Sequence, residues 1–223
     1  MQLSSVVLAR ALAFVETFDL DPKGATFYPE LITALVQRYQ FQKSPKTFDE
    51  VDETKGIVFA EGKVGKIVIQ KFTIFNSLLA LETRSNTSDS RLAIEDILMW
   101  AKERFGLQPR PDAIRHWAYV SNLTFTTEVP ILSSSPLENL ARKIERVVCE
   151  LWKDQNIKYH PLWTAVGIDP LTRKNPIAAF TLQRRAETPF GENKYFSESP
   201  LPTDLHIKFL EEYEADISRW QQL

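Results

Sequence analysis

The residues that could do chemistry are three histidines (His116, His160, His206), one cysteine (Cys149), two aspartates at Asp19 and Asp21, and a basic and aromatic segment from Arg184 to Phe196. A zinc site draws about four His, Cys or carboxylate ligands from closely spaced positions, and no two of these histidines stand at such a spacing. Asp19 and Asp21 offer two carboxylates where a hard cation takes about six to eight oxygens, and a turn at Asp21-Pro22 accounts for them without a metal. Cys149 lies beside Val148 on an apolar helix pattern, which predicts a buried, unreactive thiol. With only seven glycines the chain has neither G-x-G-x-x-G nor G-x-x-x-x-G-K-[ST], and no G-x-S-x-G elbow. The run Ser133-Ser134-Ser135 could supply nucleophiles, but Ser135 is already accounted for as a helix cap. The expectation is therefore no catalytic residue, no metal and no cofactor.

The segment after Arg184 is different. Residues 187–203 read as a long loop, and loops of that length are often functional. It carries Phe190, Asn193, Lys194, Tyr195 and Phe196, next to Arg184 and Arg185. Arginine and aromatic side chains are the usual anchors of interfaces, so these seven residues are the candidate binding site. The competing reading is that Phe190, Tyr195 and Phe196 fold back as satellite core, or that Tyr195-Phe196 forms a short strand.

The clearest of the elements that position these residues is a helix from Ser135. Ser135 and Glu138 fit a capping box, and Pro136 fits the first helical position. Leu137, Leu140, Ile144, Val147 and Leu151 follow at spacings of three and four, widened by Ala141 and Val148, and predict the buried face. Before it, residues 5–18 fit either a helix, with Val7, Ala11, Phe14, Val15 and Phe18 as its stripe, or a long strand interrupted by Arg10, of which the strand is favoured; a turn at Asp21-Pro22-Lys23-Gly24 follows. A helix opens at Tyr28-Pro29-Glu30 with Leu31, Ile32, Leu35, Val36 and Tyr39 inward. Strands follow at 57–60, 66–75 and 78–84, with Gly62 and Gly65 near the first turn and Asn76-Ser77 at the second. Ile67-Val68-Ile69 and Leu78 to Leu81 are apolar on both faces and predict strands covered twice.

A cluster of capping residues, Ser85 to Asp89, opens a helix that ends at Gly106. Pro109 and Pro111 mark a break. A half-buried strand runs from Ile114 to Phe125, with Trp117 and Tyr119 on one face. After the Ser135 helix, 159–168 and 177–185 read as strands, turned at Asp169-Pro170 and Asn175-Pro176. Thr203 caps a last helix with Leu205, Phe209, Leu210, Tyr213, Ile217 and Trp220 inward.

The order strand, helix, strands, helix thus occurs twice. It predicts an α+β fold of two similar βαββ(β)α halves, 1–108 and 109–223, each an antiparallel sheet with helices on one face. The pattern is that of a ferredoxin-like or TATA-binding-protein-like pseudo-repeat, a topological analogy that implies no function.

The chain has 223 residues, 43% hydrophobic and 25% charged, which excludes a disordered chain. A net charge of -2 argues against nucleic-acid binding by bulk charge. The apolar run Val6 to Val15 contains Arg10 and is far shorter than the ~20 residues of a membrane span, and no basic segment precedes it. One cysteine permits no internal disulfide. These features point to a cytoplasmic protein without membrane association. The expected function is that of a non-catalytic interaction or assembly subunit, with a protein partner or self-association. The alternatives are nucleic-acid binding, with Trp117 and Tyr119 stacking on bases and Arg184 and Arg185 on phosphates, and an enzyme whose site is assembled from distant residues.

Overall fold

The computed structural model describes residues 1–21, 24, 28–47, 50–52, 54–107, 112–133, 135–169, 171 and 178–221, with the backbone alone at Tyr28 and Ser135. The elements, in order, are β1 (Gln2–Phe14), α1 (Thr17–Leu20), α2 (Tyr28–Tyr39), β2 (Ile57–Val64), β3 (Ile67–Phe75), β4 (Leu78–Thr83), α3 (Thr87–Phe105), β5 (His116–Thr126), α4 (Ser135–Trp152), β6 (Trp163–Val166), β7 (Phe180–Arg184), β8 (Lys194–Ser199) and α5 (Thr203–Trp220). The fold is mixed α+β with antiparallel strand pairing. The chain divides into an N-terminal unit, Val6–Ser121 with Pro200–Asp204, and a C-terminal unit, Met1–Ser5, Asn122–Ser199 and Leu205–Leu223. No helix among the described residues is long and apolar enough to cross a membrane. The Asp21-Pro22-Lys23-Gly24, Pro109/Pro111, Asp169-Pro170 and Asn175-Pro176 features, and the Ser135 side chain, fall wholly or partly outside the described residues.

In the N-terminal unit the strand order is β2-β3-β4-β1-β5. The register sets Ala11 beside Leu81, Leu81 beside Phe72 and Phe72 beside Phe59. This row is wholly buried. One residue along, Arg10, Glu82 and Lys71 form a charged row on the opposite face, where Arg10 Nε donates to Glu82 at 3.0 Å. Strand alternation thus explains the charge inside the apolar run of β1. Small alanines on β1 let α3 approach closely: Ser90 Oγ lies 2.8 Å from the Ala9 carbonyl, to which it donates. The α3 helix is capped by Asn86, which accepts from Ser88 N–H at 2.9 Å, and ends at Gly106 with φ +67°. Its first amide, on Thr87, donates to Thr203 Oγ1 at 3.1 Å, and the Thr203 amide donates to Thr87 Oγ1 at 2.9 Å.

Several expectations change here. β1 starts earlier than predicted and stops at Phe14, and Thr17–Leu20 becomes a single helical turn. Gly62 lies inside β2, not in a turn; a Cβ there would meet the Phe41 ring at 2.5 Å. β4 is covered on both faces as predicted, from Leu79 to Leu81, but Val68 on β3 is 58% exposed.

In the C-terminal unit the order is β5-β8-β7-β6. Leu182 pairs with Ser197 and Thr164, and Arg184 with Tyr195. The buried side chains include Leu123, Phe125, Ile131, Leu182, Tyr195, Leu210 and Ile217. The predicted long loop 187–203 instead holds a short 3-10 turn at Phe190–Glu192 and then β8, whose alternate residues Tyr195, Ser197 and Ser199 are buried. The alternative of a short strand at Tyr195-Phe196 holds, and the polar serines on the inward face hid its extension to Ser199 from a hydrophobic-pattern reading. The α5 helix turns Leu210 and Ile217 inward as predicted, but Leu205, Phe209 and Trp220 are exposed, and His206 and Glu214 take inward positions. Both are hydrogen-bonded there: His206 Nε2 meets Ser197 Oγ at 2.9 Å, and Glu214 accepts from Glu128 N–H at 2.8 Å.

Candidate functional site

The α4 helix carries the largest departure from expectation. Its predicted buried face is open: Leu140 and Val147 are each 54% exposed and Leu151 is 74% exposed, with Leu137 and Ile144 near 40%. The residues turned inward are small, Ala141 and Cys149. Hydrophobic periodicity identifies which side of a helix avoids water, but not which neighbour covers it. The helix is held from its other side. The Lys158 ammonium, 2.9 Å away, and the Tyr159 N–H, 3.1 Å away, donate to Glu145 and hold its carboxyl below the usual range. Cys149 is buried, as expected, with its sulfur 3.6 Å from the Ile157 carbonyl. The edge strand β6 is also open, with Trp163 58% and Val166 67% exposed.

The seven residues singled out by sequence separate by burial. Tyr195 is wholly buried and stacks on Phe125 at 5.9 Å; burial pushes its phenol pKa up. The Arg184 guanidinium lies over the Phe190 ring at 4.6 Å and over the Tyr195 ring at 5.4 Å, and donates to the Phe190 carbonyl at 3.1 Å. Phe190 is 41% exposed and packs on His160 at 4.6 Å. Asn193 takes the left-handed conformation with φ 45° that ends the 3-10 turn. Lys194 and Phe196 lie on β8, half-buried, and Arg185 is exposed. Arg184, Phe190 and Tyr195 are thus brought together as a packed ladder, with only its outer end at the surface.

Trp117 and Tyr119 are partly buried against the core of the N-terminal unit, and both meet Arg91. The Arg91 guanidinium covers Trp117 at 4.8 Å, and Arg91 Nη1 lies 3.5 Å from the Tyr119 hydroxyl. His116 stacks on Phe14 at 4.1 Å.

Sequence reasoning missed the His206–Ser197 pair, since its partners lie on different elements. It has the composition of a base and a nucleophile, yet both side chains are wholly buried. Ser197 Oγ also donates to the Thr181 carbonyl at 2.7 Å, which leaves its proton engaged and the imidazole as the donor to it. That is a structural bond between β8 and α5. An apolar pocket in the N-terminal unit, lined by Leu31, Leu35, Phe72, Ile97 and Leu98, has no converging set of polar groups. Among the described residues no group of three or more His, Cys, Asp or Glu side chains is placed to hold a metal ion. Comparison with protein-family models and with curated proteins found no match to this chain.

Proposed function

We propose that the chain is a non-catalytic interaction or assembly subunit that engages a protein partner through the open face of α4. The observation that carries this reading is the exposure of Leu140, Val147 and Leu151 on a helix whose spacing is that of a buried stripe. Fully burying one such side chain stabilises by about 1.5–3 kcal/mol relative to leaving it in water, so several open together are a standing incentive to associate.

The proposed pseudo-repeat sharpens the contrast. The first half runs β1, α2, β2, β3, β4, α3 with order β2-β3-β4-β1, and the second runs β5, α4, β6, β7, β8, α5 with order β6-β7-β8-β5. The matching order supports two halves of one plan near 1–108 and 109–223, related to the TATA-binding-protein-like arrangement. In the first half α2 seals its side of the sheet: Leu35, Tyr39, Ile57 and Phe59 are at most 2% exposed. In the second half the equivalent helix and edge strand are both open. Phe190 and Arg185, exposed beyond the Arg184 ladder, are proposed as a subsidiary contact.

The test is assembly size, measured in extracts of the native host and on the purified chain at up to roughly 100 µM. Wild type is expected to migrate above the mass of one chain. Leu140→Asp with Val147→Asp is expected to migrate as one chain while staying folded, its stability lowered by no more than about 1–3 kcal/mol because both side chains are already about half exposed. A wild type that is a single chain both in extracts and when purified at up to roughly 100 µM, or an unchanged assembly in the double variant, refutes the reading.

A further inference from the structure

We infer that the occupant of the α4 face is a second copy of this chain, with α4 packed antiparallel on α4 about a two-fold axis that passes between Glu145 and Arg146. This rests on the reading of α4 as a docking face and names its partner. The open residues Leu140, Ile144, Val147 and Leu151 alternate in steps of four and three, the repeat of ~3.5 residues that forms a narrow seam between two helices. The residues that would widen this seam toward a sheet, Ala141 and Val148, are the ones turned toward the chain's own body, buried and half-buried. What remains outward is the strip a helix covers.

The charges beside the strip choose the partner and its direction. On the open flank stand Lys143 and Glu150, one heptad apart, both exposed and neither in an ion pair among the described residues. In an antiparallel pair with Ile144 against the partner's Val147 and Leu140 against the partner's Leu151, Lys143 comes beside the partner's Glu150. Symmetry makes that contact twice. A parallel pair would set Lys143 beside the partner's Val148, with no charge to meet. One helix therefore carries both halves of its own complement, as a self-complementary two-fold interface requires. The open apolar area is roughly 400–500 Å² per copy, about half of what each side of a standard interface buries, so the dimer is concentration-dependent rather than permanent.

Sedimentation velocity on the purified full chain tests this. Wild type is expected to pass from one chain to two as concentration rises toward roughly 100 µM, the range suited to a small interface. Lys143→Glu and Glu150→Lys each place like charges together twice, and each is expected to weaken the dimer about tenfold or more. Mixing equal amounts of the two variants restores opposite charges at both contacts and is expected to recover the dimer as a heterodimer. Their unfolding midpoints, measured as single chains, stay at the wild-type value because both sites are exposed. Failure of the mixture to recover the dimer overturns the antiparallel self-pairing. A purified wild type that stays a single chain throughout overturns the second copy as occupant. If host extracts still show an assembly that depends on Leu140 and Val147, the docking reading survives with another partner; if they do not, both readings fall.

Discussion

Truncating Leu140 and Leu151 to alanine separates an open α4 face from a buried one. Removing a fully buried leucine side chain from a core costs about 2–5 kcal/mol, so two of them in one seam would cost about 4–10 kcal/mol, comparable to the stability of a whole domain. In this structure Leu140 is 54% and Leu151 74% exposed. Scaling the transfer value of about 1.5–3 kcal/mol for a whole side chain by the buried share gives about 1 kcal/mol for Leu140 and about 0.5 kcal/mol for Leu151. Alanine's slightly better helix propensity offsets a few tenths of that. The double variant should therefore lose about 1–2 kcal/mol in urea titration of the single chain. Leu182→Ala, at a wholly buried site on β7, should lose about 2–5 kcal/mol in the same assay. Because the strip is also proposed to pair between copies, wild type should gain stability with protein concentration while the double variant does not. A double-variant loss equal to or greater than two core truncations would refute the orientation of α4.

Tyr195→Ala should cost about 3–5 kcal/mol, whereas Phe190→Ala, at a site 41% exposed, should cost clearly less, both read by thermal unfolding. Thr203→Val keeps the shape but removes the acceptor of the buried Thr87 amide, and a loss of about 1–3 kcal/mol is expected from a denaturant midpoint. Cys149 should resist alkylation in the native chain and react once urea unfolds it; mass spectrometry of labelled protein would show this.

Most elements were legible in the sequence because local rules fix them. Asn86 and Gly106 delimit α3 by capping chemistry, and Asn76-Ser77 turns β3 into β4, whatever the rest of the chain does. Arg10 was harder to place, since its justification is Glu82 on another strand. β8 was legible only in part, as the alternative of a short strand at Tyr195-Phe196, because its inward residues Ser197 and Ser199 are polar, and only the partners Thr181 and His206 make Ser197 suitable for burial. The face of α5 was legible at Leu210 and Ile217 and misassigned at Leu205, Phe209 and Trp220 for a related reason. Glu214 and His206 look outward-facing in a pattern of hydrophobicity, and their inward positions depend on hydrogen bonds from distant segments. The candidate binding segment was legible as a concentration of arginine and aromatics, but not as a ladder with Tyr195 at its buried end.

The division of the chain has a consequence for the order in which it can be made. Pro200–Asp204 belongs with the N-terminal unit, and Met1–Ser5 with the C-terminal one. A ribosome delivers these pieces at opposite ends of translation. The Thr87 amide at the start of α3 meets its acceptor on Thr203 only when α5 begins to emerge. Until then the N-terminal sheet and helices lack a buried hydrogen-bond partner and their last segment. Pairings this distant in sequence are slow to close and leave strand edges open while they wait. The N-terminal unit cannot finish folding before its last segment is made, and a chain that stalls before Thr203 keeps the Asn86 cap of α3 but lacks the acceptor that Thr203 offers the Thr87 amide.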